Sequence, residues 1–160
     1  KVLRLKSTEI QFLPAQNKIR VAIEEAPKID VGGKIKVMVV DDSKTIRNLL
    51  SRIFQSDSEF ELVATAEKPS DVEQLIQQHR PDVITLDIHM PEMDGYEATQ
   101  IIRSQEAPGT RIPILAMTAN ALQGDRQKCL AAGMDDYIAK PVDPEKLRAM
   151  IERLTTKMTT

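Results

Sequence analysis

Five residues that could act together in one reaction are spread along most of the chain: Asp41, Asp42, Asp87, Thr118 and Lys140. Three carboxylates that meet at one place repel one another strongly unless a cation lies between them. Oxygen ligands favour a hard ion such as Mg2+, which also binds phosphate oxygens. A lysine and a hydroxyl at the same place would supply a charge and a donor for a transferring phosphoryl group. An aspartate beside the metal can itself be the nucleophile, which would give an aspartyl phosphate.

Each of these residues also has an ordinary structural interpretation. An aspartate at the end of a strand is more often a turn former or a helix cap than a nucleophile. The Asp41-Asp42 pair fits a solvated turn, and Lys140 fits an exposed lysine before Pro141. Thr118 can satisfy local backbone groups. The functional interpretation is favoured because all of these residues follow predicted strands whose ends should meet at one sheet edge.

The stretch from residue 81 to residue 95 contains the residue that most needs an explanation. An apolar run at residues 83–86 predicts a buried strand. Asp87 stands at its end, before a loop that contains Pro91 and Asp94-Gly95. An unpaired buried carboxylate is costly, so Asp87 must either find partners or perform chemistry.

Strands and helices alternate from Lys34 onward. Strands are predicted near residues 35–40, 60–66, 83–87, 112–117 and 136–139, and helices near 46–54, from Pro69, near 96–104, near 125–132 and from Pro144. Five such units predict an α/β fold, a doubly wound parallel sheet with right-handed crossovers. In this architecture ligands bind outside the carboxyl ends of the strands.

Composition excludes several classes of protein. Hydrophobic residues at 41% and charged residues at 29% are typical of a globular chain, and the net charge of −2 argues against a nucleic-acid partner. No apolar run approaches the ~18–20 residues that span a bilayer, so no membrane association is expected. Cys129 is the one cysteine and has no disulfide partner within the chain, which favours a reducing, cytoplasmic location.

Residues 1–33 differ in pattern from the domain predicted at 34–157. Apolar and polar residues alternate near 2–6 and 19–23, which predicts short half-exposed strands, and Gly32-Gly33 indicates a linker. This β-rich extension fits either a fragment of a neighbouring domain or an ordered arm packed on the main one.

From about Lys34 to Leu154, the sequence resembles the receiver domain of two-component response regulators. Four segments carry the resemblance: Val39-Val40-Asp41-Asp42-Ser43, Leu86-Asp87-Ile88-His89-Met90-Pro91-Glu92-Met93-Asp94-Gly95, Met117-Thr118-Ala119-Asn120-Ala121 and Tyr137-Ile138-Ala139-Lys140-Pro141. The first half is most similar to receivers of chemotaxis methylesterases, and the second half to receivers of hybrid sensor kinases. The resemblance implies a flavodoxin-like sheet with strand order 2-1-3-4-5.

The resemblance implies a phosphoacceptor and a metal site. Asp87 would accept the phosphoryl group. Asp42, Asp87 and the backbone carbonyl of His89 would bind Mg2+, and Asp41 would assist, often through water. His89 and Asn120 each lie two residues beyond a key residue. Their side chains are therefore expected to flank the path of the attacking water and to tune the lifetime of the aspartyl phosphate.

The resemblance also implies a switch and its partners. Thr118 and Lys140 would hold phosphoryl oxygens, Tyr137 would be an aromatic switch residue, and the Lys140-Pro141 bond would be cis. The phosphodonor would be a histidine kinase, a histidine phosphotransfer protein or a small molecule. An output domain or protein would dock on the face made by the fourth helix, the fifth strand and the last helix.

Two function classes compete for these residues. One is a regulatory module, not a turnover enzyme, that catalyses only its own phosphorylation and slow dephosphorylation. The other is a phosphatase of the haloacid dehalogenase type with Asp87 as nucleophile. That family needs a second aspartate two residues later, where this chain has His89. A pseudo-receiver that cannot be phosphorylated is disfavoured because every motif position is filled.

Overall fold

The computed structural model describes residues 33–120 and 123–156. Its strands are β1 (Ile35–Val40), β2 (Phe60–Ala66), β3 (Val83–Asp87), β4 (Ile114–Thr118) and β5 (Asp136–Ala139). Its helices are α1 (Lys44–Ser56), α2 (Val72–His79), α3 (Gly95–Gln105), α4 (Gln123–Ala132) and α5 (Pro144–Thr156).

The five strands form one parallel sheet in the order β2-β1-β3-β4-β5, which confirms the predicted topology. The register aligns Val40 with Leu86, Leu86 with Ala116, and Ala116 with Tyr137. The carboxyl ends of β1, β3, β4 and β5 therefore lie along one edge of the sheet. Chain order reverses between β1 and β3, so the edge includes the switch point at which ligands bind in such sheets.

Apolar side chains on both faces of the sheet form the core. Along β1, Val37 and Val39 belong to one cluster, whereas Met38 and Val40 belong to the other, and all four are fully buried. Helices α1 and α5 cover the first cluster, and α2, α3 and α4 cover the second. This two-sided burial explains the continuous apolar run of a central parallel strand.

Two predicted helix ends are confirmed by local backbone geometry. The Asp143 carboxylate accepts a hydrogen bond from the backbone N–H of Glu145 at the start of α5. Gly133 follows the end of α4 with a φ of +103°, a conformation that glycine adopts without steric cost. The helix expected from Pro69 differs, because a 3-10 turn at Pro69–Asp71 precedes α2, which begins at Val72.

Four other element boundaries differ by two residues, and two of them are the ends of α1, which spans Lys44–Ser56 and not 46–54. Strand β4 begins at Ile114 and not at residue 112. Pro113 has no N–H to donate to the sheet, and its carbonyl accepts a hydrogen bond from Ile84 N at the point where pairing starts. Helix α4 begins at Gln123, ahead of the expected residue 125.

The strands predicted in residues 1–33 lie outside the described residues. Within 33–120 and 123–156, no helix is both long enough and apolar enough to cross a membrane.

Candidate functional site

The carboxylates of Asp41, Asp42 and Asp87 meet at the switch-point edge. Asp41 directly follows β1 and Asp87 ends β3. One oxygen from each of the three side chains lies within 4.8 Å of the others. Asp41 and Asp87 are buried, whereas Asp42 is more exposed. The predicted acidic cluster therefore forms, with two of its members removed from solvent.

Lys140 follows β5 and points into this cluster. Its Nζ atom lies 3.1 Å from Asp41 Oδ2 and 3.2 Å from Asp87 Oδ1. Burial lowers the pKa of Lys140, but the hydrogen bonds and charges of Asp41 and Asp87 outweigh it, so the pKa is raised overall. The ammonium stays charged and neutralises one of the three negative charges.

The ionised form of Asp87 remains electrostatically unfavourable despite the nearby Lys140. Burial and the charge of Asp41 raise the pKa of Asp87 above its ordinary value, against the lowering effects of Lys140 and of a hydrogen bond from His89 N. Three carboxylates face one ammonium, so the cluster carries excess negative charge. A hard divalent cation with oxygen ligands fits this donor set.

The backbone packs closely behind Asp87, and this contact requires a glycine at position 95. A Cβ atom at Gly95 would lie 2.6 Å from the carbonyl oxygen of Asp87 and 2.8 Å from Ile88 Cα. The Gly95 N–H donates to Ile88 O at 2.9 Å. Sequence reasoning treated Asp94-Gly95 only as a turn signal and missed this steric requirement.

Thr118 ends β4 at the same edge, but its hydroxyl bonds locally. Thr118 Oγ1 donates to Asn120 O at 2.9 Å and accepts from Asn120 N at 3.1 Å. Its backbone carbonyl accepts from Lys140 N at 2.7 Å, which ties the ends of β4 and β5 together. The structure therefore places Thr118 beside the cluster without a hydrogen bond from its hydroxyl to Asp87 or Lys140.

The remaining predicted residues surround this edge. His89 and Asn120 are exposed, and His89 N donates to Asp87 Oδ1 at 3.3 Å. Tyr137 is half-buried and packs against the core cluster on the α2–α4 side of the sheet. The Lys140-Pro141 peptide bond is cis, as the resemblance implied.

Arg47 on α1 belongs to the site although no sequence signal singled it out. Its Nη1 atom donates to the backbone carbonyl of Asp41 at 2.7 Å and to that of Asp42 at 2.9 Å. Its Nη2 atom lies 3.2 Å from Glu67 Oε2, just beyond β2. Two of its partners are backbone carbonyls, and the third is the side chain of Glu67, which is distant in sequence. No local sequence pattern reveals such contacts.

The chain is similar to known proteins over most of its length. The family model described as response regulator receiver domain matches residues 37–152. A protein-glutamate methylesterase/protein-glutamine glutaminase of a Nocardioides species is 38% identical over 122 residues, which are 75% of this chain and 32% of the relative. The chain thus spans about a third of that methylesterase. The haloacid dehalogenase alternative is not favoured by these matches.

Solved structures give the same result. The chemotaxis protein CheY4 of Vibrio cholerae is 32% identical, with a TM-score of 0.68, over 76% of this chain and 99% of that one. The receiver domain of sensor histidine kinase PA1611 from Pseudomonas aeruginosa PAO1 is 34% identical, with a TM-score of 0.67, over 78% and 99%. In that structure a magnesium ion is coordinated in the active site cleft.

Proposed function

The chain belongs to the response regulator receiver domains of two-component signalling, and we propose that Asp87 is its phosphoacceptor. The observation that carries the proposal is the position of the Asp87 carboxylate. It lies within 4.8 Å of Asp41 and Asp42 oxygens, and its Oδ1 atom lies 3.2 Å from Lys140 Nζ. The proposed donor is a phosphohistidine on a histidine kinase or phosphotransfer protein, or a small acyl phosphate.

The proposed reaction transfers one phosphoryl group. An Asp87 carboxylate oxygen attacks phosphorus, and the bond from phosphorus to the donor nitrogen breaks. The electron pair of that bond goes to the imidazole nitrogen of the donor, and the product is an acyl phosphate on Asp87. Lys140 is held between Asp41 and Asp87. As the phosphoryl group arrives, the Lys140 ammonium would neutralise charge on its oxygens.

The residues that would hold Mg2+ are Asp41, Asp42 and Asp87, together with the backbone carbonyl of His89. When bound, the ion would neutralise carboxylate and phosphoryl charge and align the phosphorus for in-line attack. The magnesium ion in the related kinase receiver supports this assignment. The contribution of the chain itself is a set of acidic side chains held at fixed positions on the ends of β1 and β3.

Intact-mass measurement with acetyl phosphate tests the proposal. With Mg2+ the protein should gain one phosphoryl group, and chelation of the metal should stop the reaction because a dianionic donor is repelled by the uncompensated cluster. Asp87→Asn should remove most of the labelling, whereas Glu92→Gln on the following loop should not. Equal labelling of Asp87→Asn and wild type would exclude Asp87 from the role.

The proposed output is a changed surface on α4, β5 and α5. A phosphoryl group adds charge and three acceptor oxygens, which gives Thr118 a stronger acceptor than the Asn120 carbonyl that it bonds now. Movement of Thr118 would make room for Tyr137 to turn inward. Leu130 on α4 is 46% exposed and gives this face an apolar contact for a partner.

Comparison of the free protein with its beryllofluoride adduct tests the switch, since the fluoride group on Asp87 stands in for phosphate. NMR shifts should change at Thr118, at Tyr137 and along α4. Unchanged shifts on α4 and one fixed Tyr137 rotamer would refute the switch but leave the chemistry at Asp87 intact.

The exposed side chains of His89 and Asn120 are proposed to tune the lifetime of the phosphoryl group. Exchanging either residue should change the decay rate of the aspartyl phosphate with little effect on the free energy of unfolding. The same decay rate in both variants as in wild type would show that neither side chain flanks the attacking water.

A further inference from the structure

We infer that Arg47 is a positioning residue for the magnesium site, a role that rests on the proposed function. Its guanidinium lies behind the Asp41-Asp42 pair and donates to the backbone carbonyls of both residues, at 2.7 Å and 2.9 Å. It touches neither carboxylate by a hydrogen bond. It therefore acts on the cation through the backbone that carries the ligands.

Asp42 depends on this support more than Asp41 does. The Asp41 carboxylate accepts from Ser43 N at 2.8 Å and from Lys140 Nζ at 3.1 Å, so its position is fixed by its own partners. Within the described ranges, the Asp42 carboxylate accepts no hydrogen bond. The position of the Asp42 side chain therefore depends on the Asp42 backbone. The Arg47 guanidinium fixes this backbone by a hydrogen bond to its carbonyl oxygen.

The position of Arg47 is itself well fixed. Its side chain is only 14% exposed, so water competes weakly for its hydrogen bonds. Its backbone N–H donates to Ser43 O at 3.0 Å in the first turn of α1, and its Nη2 atom pairs with Glu67 beyond β2. A planar guanidinium can hold two carbonyls and a carboxylate at once, which the single ammonium of a lysine cannot do in the same geometry.

A positioning role and a simple charge effect predict opposite changes in metal affinity. If Arg47 acted only through its charge, its removal would strengthen Mg2+ binding, because a positive charge near a cation site is repulsive. If it positions Asp42, its removal weakens binding because the ligand carboxylates lose their fixed geometry. Arg47→Lys distinguishes the two roles, since it keeps the positive charge but loses the planar guanidinium that bonds to both carbonyls.

The experiment is a Mg2+ titration of the unphosphorylated full chain, followed by NMR or calorimetry, in wild type, Arg47→Lys and Arg47→Gln. Both variants should bind Mg2+ about five- to tenfold more weakly than wild type. Arg52 is an exposed arginine on the same helix. Arg52→Lys and Arg52→Gln are matched controls and should bind as wild type does.

Unchanged affinity in Arg47→Lys, or stronger binding by Arg47→Gln, would overturn the positioning role. A variant that lowers the unfolding midpoint in chelator but binds Mg2+ normally would show a purely structural role and would also overturn it. If Arg47→Gln does not fold, Arg47→Lys decides alone. If the wild type binds no Mg2+, the proposed metal site fails, and the role of Arg47 fails with it.

Discussion

Replacing Asp87 with asparagine should stabilise the protein in the absence of divalent cations. Asp87 is only 3% exposed and shares its site with two other carboxylates. Burial and the charge of Asp41 raise its pKa, so the folded chain holds the charged form of Asp87 at a cost. Asparagine has nearly the same shape, can still accept the hydrogen bond from His89 N, and carries no charge.

The site geometry gives the size of the gain. At an effective dielectric constant of about 20, each repulsion between carboxylates that lie within 4.8 Å costs at least about 3.5 kcal/mol, and the Lys140 attraction over 3.2 Å returns about 5 kcal/mol. Solvent reduces the repulsion from the more exposed Asp42, and the desolvation of Asp87 adds to the cost. The net gain expected for Asp87→Asn is about 2 kcal/mol, or a rise of roughly 8 °C in Tm.

Denaturant and thermal unfolding in EDTA and in Mg2+ measure this gain. In EDTA, Asp87→Asn should unfold later than wild type, whereas the exposed control Glu92→Gln should match wild type. Mg2+ at about ten times its dissociation constant should add about 1.4 kcal/mol to wild type and much less to Asp87→Asn, which has lost one ligand charge. An Asp87→Asn variant that is less stable than wild type in EDTA would refute the electrostatic account of the site.

Thr85→Val should leave the free energy of unfolding unchanged or raise it by up to about 1–2 kcal/mol, because Thr85 Oγ1 is buried and forms no hydrogen bond among the described residues. A variant that is less stable than wild type by more than this amount in urea unfolding would show that Thr85 has a hydrogen-bond partner. Gly95→Ala should lower stability by about 1–3 kcal/mol and slow labelling of Asp87, since the new methyl group overlaps the Asp87 carbonyl; wild-type values in both assays would contradict the close packing. Burial, then the Cys129 and Asp125 side chains, raise the pKa of Tyr96 to about 12. The contribution of Tyr96 to the free energy of unfolding is therefore complete below its ordinary pKa of 10 and is lost as the pH rises from 10 towards 12. Tyr96→Phe should flatten this alkaline loss in pH-dependent urea unfolding, and an unchanged slope would refute the shift.

The sequence was sufficient to predict the fold because each local signal agreed with the sheet. The buried run Val37–Val40 required cover on both faces, and the structure provides it. Asp143 before Pro144 and Gly133 after Ala132 marked helix ends correctly, since caps are local interactions. The meeting of Asp41, Asp42, Asp87 and Lys140 followed from the parallel topology alone.

The features that the sequence did not predict depend on contacts between distant backbone segments. Arg47 bonds to carbonyls that every residue possesses, so its identity carries no motif. The tight approach of Gly95 to Asp87 depends on where α3 begins relative to β3. The local bonding of Thr118 with Asn120 is one of several that a threonine can make, and the geometry of the loop after β4 selects it.

Locating the phosphoryl group within the chain tests the central claim most directly. After reaction with acetyl phosphate and Mg2+, borohydride reduces an aspartyl phosphate to homoserine, which peptide sequencing by mass spectrometry identifies by position. The account predicts homoserine at position 87 and unmodified aspartate at positions 41 and 42. Homoserine at Asp41 or Asp42, or at no position in a chain that has gained a phosphoryl group, would contradict it.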